Sequence, residues 1–413
     1  MPDDADADAD EARLSRLYEG HVPIATAIEQ LRLTRYQRVE RVILMNLIGV
    51  LRPLYWLVRR LRGRPFDVTA GLEEFAHVAN PTRGTRTKES HGGDHLTAEQ
   101  VATYERDGVL GPLPLLTPEE AATHRAFVVQ THAADWHGEY AIGKTAVDEL
   151  KRNGLWAINH GAIWQERNVP EIRAIAQHPV LAQRLASLIG NDVAAWRTQM
   201  FVVEPDTKGT FWHAATTFTE DGDLPALTPP PGMPAAMANV SCWIALEDVD
   251  VDTACLRIIP GSHSDVRLDT LIRRFSRDRL GFVMHFDRAD RWNALTALRY
   301  TGDIFLAGQV AFDVALRLLP DLYESIEPAH YPMRAGECLL FSSNNLHGSY
   351  PNRTGEPRLA MGIRYTSADV GIYAGQPTIP YATGVGTTEV DMSRLHDGVP
   401  VHTAEGPVAA RDQ

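Results

Sequence analysis

The sequence predicts a mainly β protein, a β-sandwich or jelly roll set behind a helical layer. Three observations predict it. Helix-start signals cluster between Leu96 and Gly190, short β-rich runs follow Gly190, and turn-forming pieces separate those runs.

The chain opens MPDDADADADEA, an acidic repeat with nothing to bury, so residues 1–20 are expected to be disordered. Residues 21–95 read as a helical extension and linker. Within them, 37–64 is apolar and flanked by arginines. Its apolar run of about 17 residues contains Arg52 and Pro53 and falls short of the ~20 that a membrane span needs. A buried helix broken at Pro53 is one reading; a basic surface for a membrane or an acidic partner is the other. Residues 78–95 are rich in Gly, Thr and charge, as a linker is.

LTAEQVATYERDG and LTPEEAATHRAF each place a threonine before a Glu-containing first turn, predicting two helices. Residues 169–189 predict two more, with Pro179 opening the second. The strand candidates are AAWRTQMFVVE, NVSCWIALEDV, CLRIIPG, GECLLFS and LAMGIRYTS. They form one domain over 96–380, interrupted by an insertion at about 264–330 and followed by a tail at 381–413.

The net charge of −13 argues against nucleic acid, whose phosphates need a basic face. Three cysteines, Cys242, Cys255 and Cys338, make no CxxC and no even framework, which excludes a sulfur-ligated metal site and fits a reducing compartment. With no basic leader and no span, the expected location is the cytoplasm.

The chemistry concentrates in GTFWHAATTF and SSNNLHGSYPNRTGEPRLAMGIRY. His213 follows one strand and His347 ends a later one, so both imidazoles can meet at one mouth of a jelly roll. Two imidazoles and a carboxylate on one face are the ligand set of a non-haem iron site. Arg358 lies eleven residues beyond His347 across a short turn, placed to return beside the metal and bind a carboxylate with two prongs. Arg364, six residues on, shares its strand face by the period of two. Two inward arginines on one strand suggest two anions.

From about Tyr104 to Tyr373 the sequence resembles the phytanoyl-CoA dioxygenase superfamily, through YERDGVLGPLPLLTPEE, CLRIIPGSH and AGECLLFSSNNLHGSYPNRTGEPRLAMGIRY. Within it, WHAATTF is similar to the W-H-x-A-x-T-F motif of syringomycin-type chlorinases, where hydroxylases have H-x-D or H-x-E. The resemblance implies a double-stranded β-helix (jelly roll, cupin-like) core, Fe(II), 2-oxoglutarate, O2 and chloride. It implies His213 and His347 as iron ligands and Arg358 as the 2-oxoglutarate anchor. It sets Trp243 near 2-oxoglutarate and Ser241, Ala215 and Arg364 near halide. The activity implied is chlorination of an unactivated aliphatic carbon by hydrogen-atom abstraction and radical recombination. The alanine form of the motif further implies an acyl or aminoacyl substrate tethered to a carrier protein, with a free small molecule as the alternative.

Ala215 carries that reading physically. An aspartate there would fill a coordination site and supply one negative charge; alanine does neither, and chloride restores both. Gln199, Phe282 and Phe286 are expected substrate contacts. Glu220 departs from the chlorinase pattern, which has an asparagine near the halide, and is a candidate to face substrate or reach the metal itself. His263 and Asp265 form a second H-x-D, read here as a strand-end turn with a structural histidine. A hydroxylase of the same superfamily, or a binding protein without turnover, are the other functions the residues allow.

Overall fold

In the computed structural model the described residues are 94–133, 164–205, 209–210, 212, 214, 227–231, 233, 239–264, 328–375, 378–382, 387–391 and 397–408. Outside them lie the acidic N-terminus, segment 37–64, most of the insertion, and the candidates His213, Ala215, Glu220, Asp265, Phe282 and Phe286.

The four helices expected between Leu96 and Gly190 stand where the sequence places them. In α1 (Ala98–Asp107) the Thr97 hydroxyl accepts from the Gln100 amide and the Gln100 side chain accepts from the Thr97 amide. These two bonds satisfy donors that a helix start otherwise leaves open. Thr117 and Glu120 make the same reciprocal pair at α2 (Pro118–Ala133). α3 (Pro170–Ala176) and α4 (Pro179–Ile189) both open on proline, whose missing N–H costs nothing there.

The described residues are mostly β, their main sheet curled into an antiparallel half-barrel of the jelly-roll type. That sheet orders its strands β1-β7-β4-β9-β2-β13-β14. The strands are β1 (Val109–Pro114), β2 (Val193–Val203), β4 (Val240–Ala245), β7 (Glu337–Ser342), β9 (Arg358–Ser367), β13 (Val399–Thr403) and β14 (Gly406–Pro407). A second sheet orders β6-β5-β8, from β5 (Leu256–Ile258), β6 (Ala329–Tyr331) and β8 (His347–Ser349). β3 (Leu227–Thr228) pairs with β10 (Gly371–Ile372), and β11 (Thr378–Ala382) with β12 (Thr387–Asp391). β13 falls in the segment expected as a tail, yet it pairs with β2 and buries Val401 completely. The sheet therefore continues past residue 380.

Alternation gives the main sheet two faces. Cys242, Ile244, Leu340, Met361, Ile363 and Tyr365 pack against α3 and α4, and the Tyr365 hydroxyl donates to the Ala176 carbonyl at 3.1 Å. Trp243, Ala245, Leu339, Phe341 and Ala360 turn the other way and pack with Leu256 and Ile258 of the second sheet. Arg358, Gly362 and Arg364 share that interior face. Cys242, Cys255 and Cys338 are buried and free. Among the described residues no helix is long and apolar enough to cross a membrane.

Candidate metal and co-substrate site

β8 positions His347. Its Nδ1 lies 2.8 Å from the Asn345 carbonyl oxygen, which can only accept, so Nδ1 carries the proton. That tautomer leaves Nε2 with the lone pair a metal requires, and a carbonyl on the far nitrogen is how metal-binding histidines are commonly held. Asn345 is itself fixed. Its Nδ2 donates to the Asp107 carbonyl at 3.1 Å and its Oδ1 accepts from the His263 amide at 2.9 Å. The Phe341 ring meets the imidazole edge-on at 4.9 Å.

The segment leading into WHAATTF is tied to the same strand. The Ser349 amide donates to the Thr210 carbonyl at 3.1 Å, and the Thr210 amide donates to Ser349 Oγ at 2.9 Å. Gly209 has a φ of +71°, and a Cβ there would collide with the Tyr350 carbonyl. Only glycine lets the chains approach this closely. Beyond it, Trp212 is buried beneath the Arg257 guanidinium, 4.8 Å from its ring. Trp212 and Ala214, the described neighbours of His213, are both buried.

Arg358 opens β9 and is 3% exposed, not a solvated strand-end arginine. One terminal nitrogen donates to the Phe201 carbonyl at 3.3 Å, and the guanidinium stands 5.1 Å from the Trp243 ring. Its Nε is buried without a hydrogen-bond partner. Burial pulls its pKa down to about 10, against the opposing pull of the Glu247 carboxylate. Glu247 is already engaged, accepting from the Leu359 amide at 2.7 Å and pairing with Arg125 at 3.5 Å. A buried cation with an idle donor fits a dianionic co-substrate, and a ring nitrogen presented by a pinned imidazole fits a divalent metal.

Arg364 lies toward the other end of β9, opposite Ser241 of β4 and Arg197 of β2. Ser241 Oγ is 2.9 Å from Ser343 Oγ, and Ser241 also pairs with Phe341, which touches His347. Trp243 and Gln199 both oppose Gly362, between the two arginines. His263 sits on a 3-10 turn (Ser262–Ser264) against Asn345, with burial lowering its pKa.

A phytanoyl-CoA dioxygenase (PhyH) family model matches residues 104–360. The chain belongs to the phytanoyl-CoA dioxygenase family. It is thereby an enzyme of the Fe(II)/2-oxoglutarate oxygenase type. Within this family's reach, ectoine dioxygenase of Bordetella bronchiseptica is 25% identical over 280 residues, 67% of this chain and 77% of its own. The ectoine dioxygenase of Nocardia farcinica is 26% identical over 289 residues, 66% of this chain and 78% of its own. Among solved structures, CytC3 aligns over 74% of this chain and 88% of its own, at 19% identity and a TM-score of 0.46. EctD from S. alaskensis with 2-oxoglutarate and 5-hydroxyectoine aligns over 71% and 83%, at 17% identity and a TM-score of 0.46.

The sequence singled out Arg358, Arg364, Ser241, Trp243 and Gln199, and all five side chains lie along one interior face. It overlooked Arg197. In AAWRTQMFVVE an arginine inside an apolar strand was the available signal. It overlooked Asn345 as well, since its role depends on contacts with Asp107 and His263 that no local pattern announces.

Proposed function

We propose that the protein is an Fe(II)/2-oxoglutarate-dependent halogenase that chlorinates an unactivated aliphatic carbon. The observation that carries this reading is Ala215, standing in the WHAATTF frame where an oxygenase has its metal-binding carboxylate. Bound iron, with 2-oxoglutarate and O2, supplies the oxidising power for hydrogen-atom abstraction. His213 and His347 hold the metal, and the Asn345 carbonyl fixes the His347 tautomer. Arg358 takes the distal carboxylate of 2-oxoglutarate, with Trp243 beneath its guanidinium. The Ala215 methyl group leaves a ligand position open and one charge uncompensated, which suits chloride. Ser241 and Arg364 line the halide side. Two substrate forms are compatible with this reading: a group tethered to an acyl or peptidyl carrier protein, and a free small molecule.

The test is anaerobic calorimetric titration of the Fe(II)- and 2-oxoglutarate-loaded protein with chloride. Wild type is expected to bind chloride, and Ala215→Asp to bind it at least ~10-fold more weakly, because the carboxylate takes its place. Equal affinity in the two proteins would place the halide elsewhere. A second reading, a hydroxylase, is favoured by relatives named ectoine dioxygenase. It uses Glu220, Asp265 or a water in place of chloride, and succinate formation indifferent to chloride would support it.

A further inference from the structure

Helix α2 buries Ala121 and Val128, and Arg125 stands four residues after the first and three before the second. That spacing puts Arg125 on the face that α2 turns inward. There its guanidinium meets Oε2 of Glu247 at 3.5 Å, while Oε1 of the same carboxylate accepts from the Leu359 amide at 2.7 Å. The pairing of β4 with β9 explains the place of Glu247. Ala245 pairs with Ala360, and the same register carried on by two residues sets Glu247 level with Arg358. The Glu247 carboxylate accordingly acts on Arg358 through space, favouring its charged form against the effect of burial.

One carboxylate thus stands between two guanidiniums. Arg125 is about a third exposed, whereas Arg358 is buried and keeps its Nε without a hydrogen-bond partner. The direct ion pair goes to the outer of the two. A carboxylate is attracted more strongly by a cation that water does not solvate, so an untethered Glu247 would turn to Arg358. That turn would occupy the planar fork that an incoming carboxylate needs. The Leu359 amide fixes one oxygen of Glu247 and leaves the carboxylate a pivot; Arg125 fixes the other oxygen on the outer side.

We infer that Arg125 is a positioning residue for co-substrate binding, holding Glu247 off Arg358 so that the inner guanidinium stays open to a dicarboxylate. Glu247 is then a built-in competitor for the anchor, and Arg125 acts on the co-substrate only through it. The helical layer thereby takes a part in loading a pocket that the sheets build. This role presupposes 2-oxoglutarate on Arg358, as proposed above, but it is read from affinity without turnover, so the two can fail separately.

The experiment is anaerobic calorimetric titration of the Fe(II)-loaded full chain with 2-oxoglutarate. It compares wild type with Arg125→Gln, Arg125→Lys, Glu247→Gln and the double variant Arg125→Gln/Glu247→Gln. Arg125→Gln is expected to weaken binding roughly 3- to 5-fold, the scale of one partly exposed ion pair. Arg125→Lys keeps a cation for Glu247 and should recover most of that loss. Glu247→Gln keeps an acceptor for the Leu359 amide without the charge, and should tighten binding roughly 2-fold. In that background Arg125→Gln should change the affinity by less than ~1.5-fold, because its target is gone. An equal loss in both backgrounds overturns the inference, since Arg125 would then act through packing or its own charge. Wild-type affinity in Arg125→Gln overturns it too. Arg358→Lys separates the two failures: wild-type affinity there removes the co-substrate from Arg358 and this role with it. A weakened Arg358→Lys beside an unaffected Arg125→Gln removes only the role given to Arg125.

Discussion

At the scale of single residues, the site rests on pairs of opposed demands. Arg358 is buried where water cannot solvate its charge, and Glu247, whose carboxylate acts on it through space, is engaged by Arg125 and the Leu359 amide. The buried arginine stays cationic at neutral pH, so the guanidinium is stabilised by whatever anion enters. Arg358→Lys should weaken 2-oxoglutarate binding about tenfold, because an ammonium offers one point of charge where the guanidinium offers two aligned donors. Anaerobic titration of the Fe(II)-loaded variant measures this; wild-type affinity in Arg358→Lys would show that the co-substrate binds elsewhere. Arg358 was legible in the sequence because its distance from His347 is a local count. Arg197 was not, because its partner Arg364 is 167 positions away and the register between them depends on an irregularity at Trp196.

At the scale of elements, short-range chemistry was the readable part. Thr97 with Gln100 and Thr117 with Glu120 are bonds between residues three apart, and they announced α1 and α2 directly. β1 and β13 went unread for the converse reason. Each is short and contains proline, and each is held by pairing with a strand far along the chain. The turn at 164–168 is also a long-range construction. It is anchored to β2 by the buried Glu166, which accepts from Thr198 Oγ1 at 2.6 Å. Burial raises the pKa of Glu166 above its ordinary 4.5, in spite of the Thr198 bonds that oppose it. The folded state therefore holds this proton to higher pH than the unfolded chain, and stability falls as pH rises from about 4.5 through the raised value. Glu166→Gln keeps the acceptor for Thr198 and has no proton to lose. Its melting temperature should gain on wild type as pH increases, and a constant difference across that range would contradict the assignment.

At the scale of the whole molecule, the half-barrel is closed on its β2 side by a strand near the end of the chain. β13 is held from several directions. Arg167 donates to the Gly398 carbonyl at 3.0 Å, Gln177 to the Pro400 carbonyl at 2.7 Å, and His402 Nδ1 to the Asn191 carbonyl at 2.6 Å. Val401 is fully buried in the helix-facing core. Val401→Ala should cost roughly 2 kcal/mol, a fall of about 4–8 °C in melting temperature. A variant that melts with wild type would mean β13 is dispensable to the core.

β9 carries its two interior arginines six residues apart, which at about 3.3 Å per residue separates their backbones by roughly 20 Å. At an effective dielectric constant near 20, two unit charges at that distance feel each other by about 0.8 kcal/mol, against about 4 kcal/mol at 4 Å. An anion at Arg358 therefore changes the affinity for one at Arg364 by only a few-fold. The strand works as an insulating spacer: charge imposes no compulsory order of loading, and each end can be tuned by substitution without detuning the other.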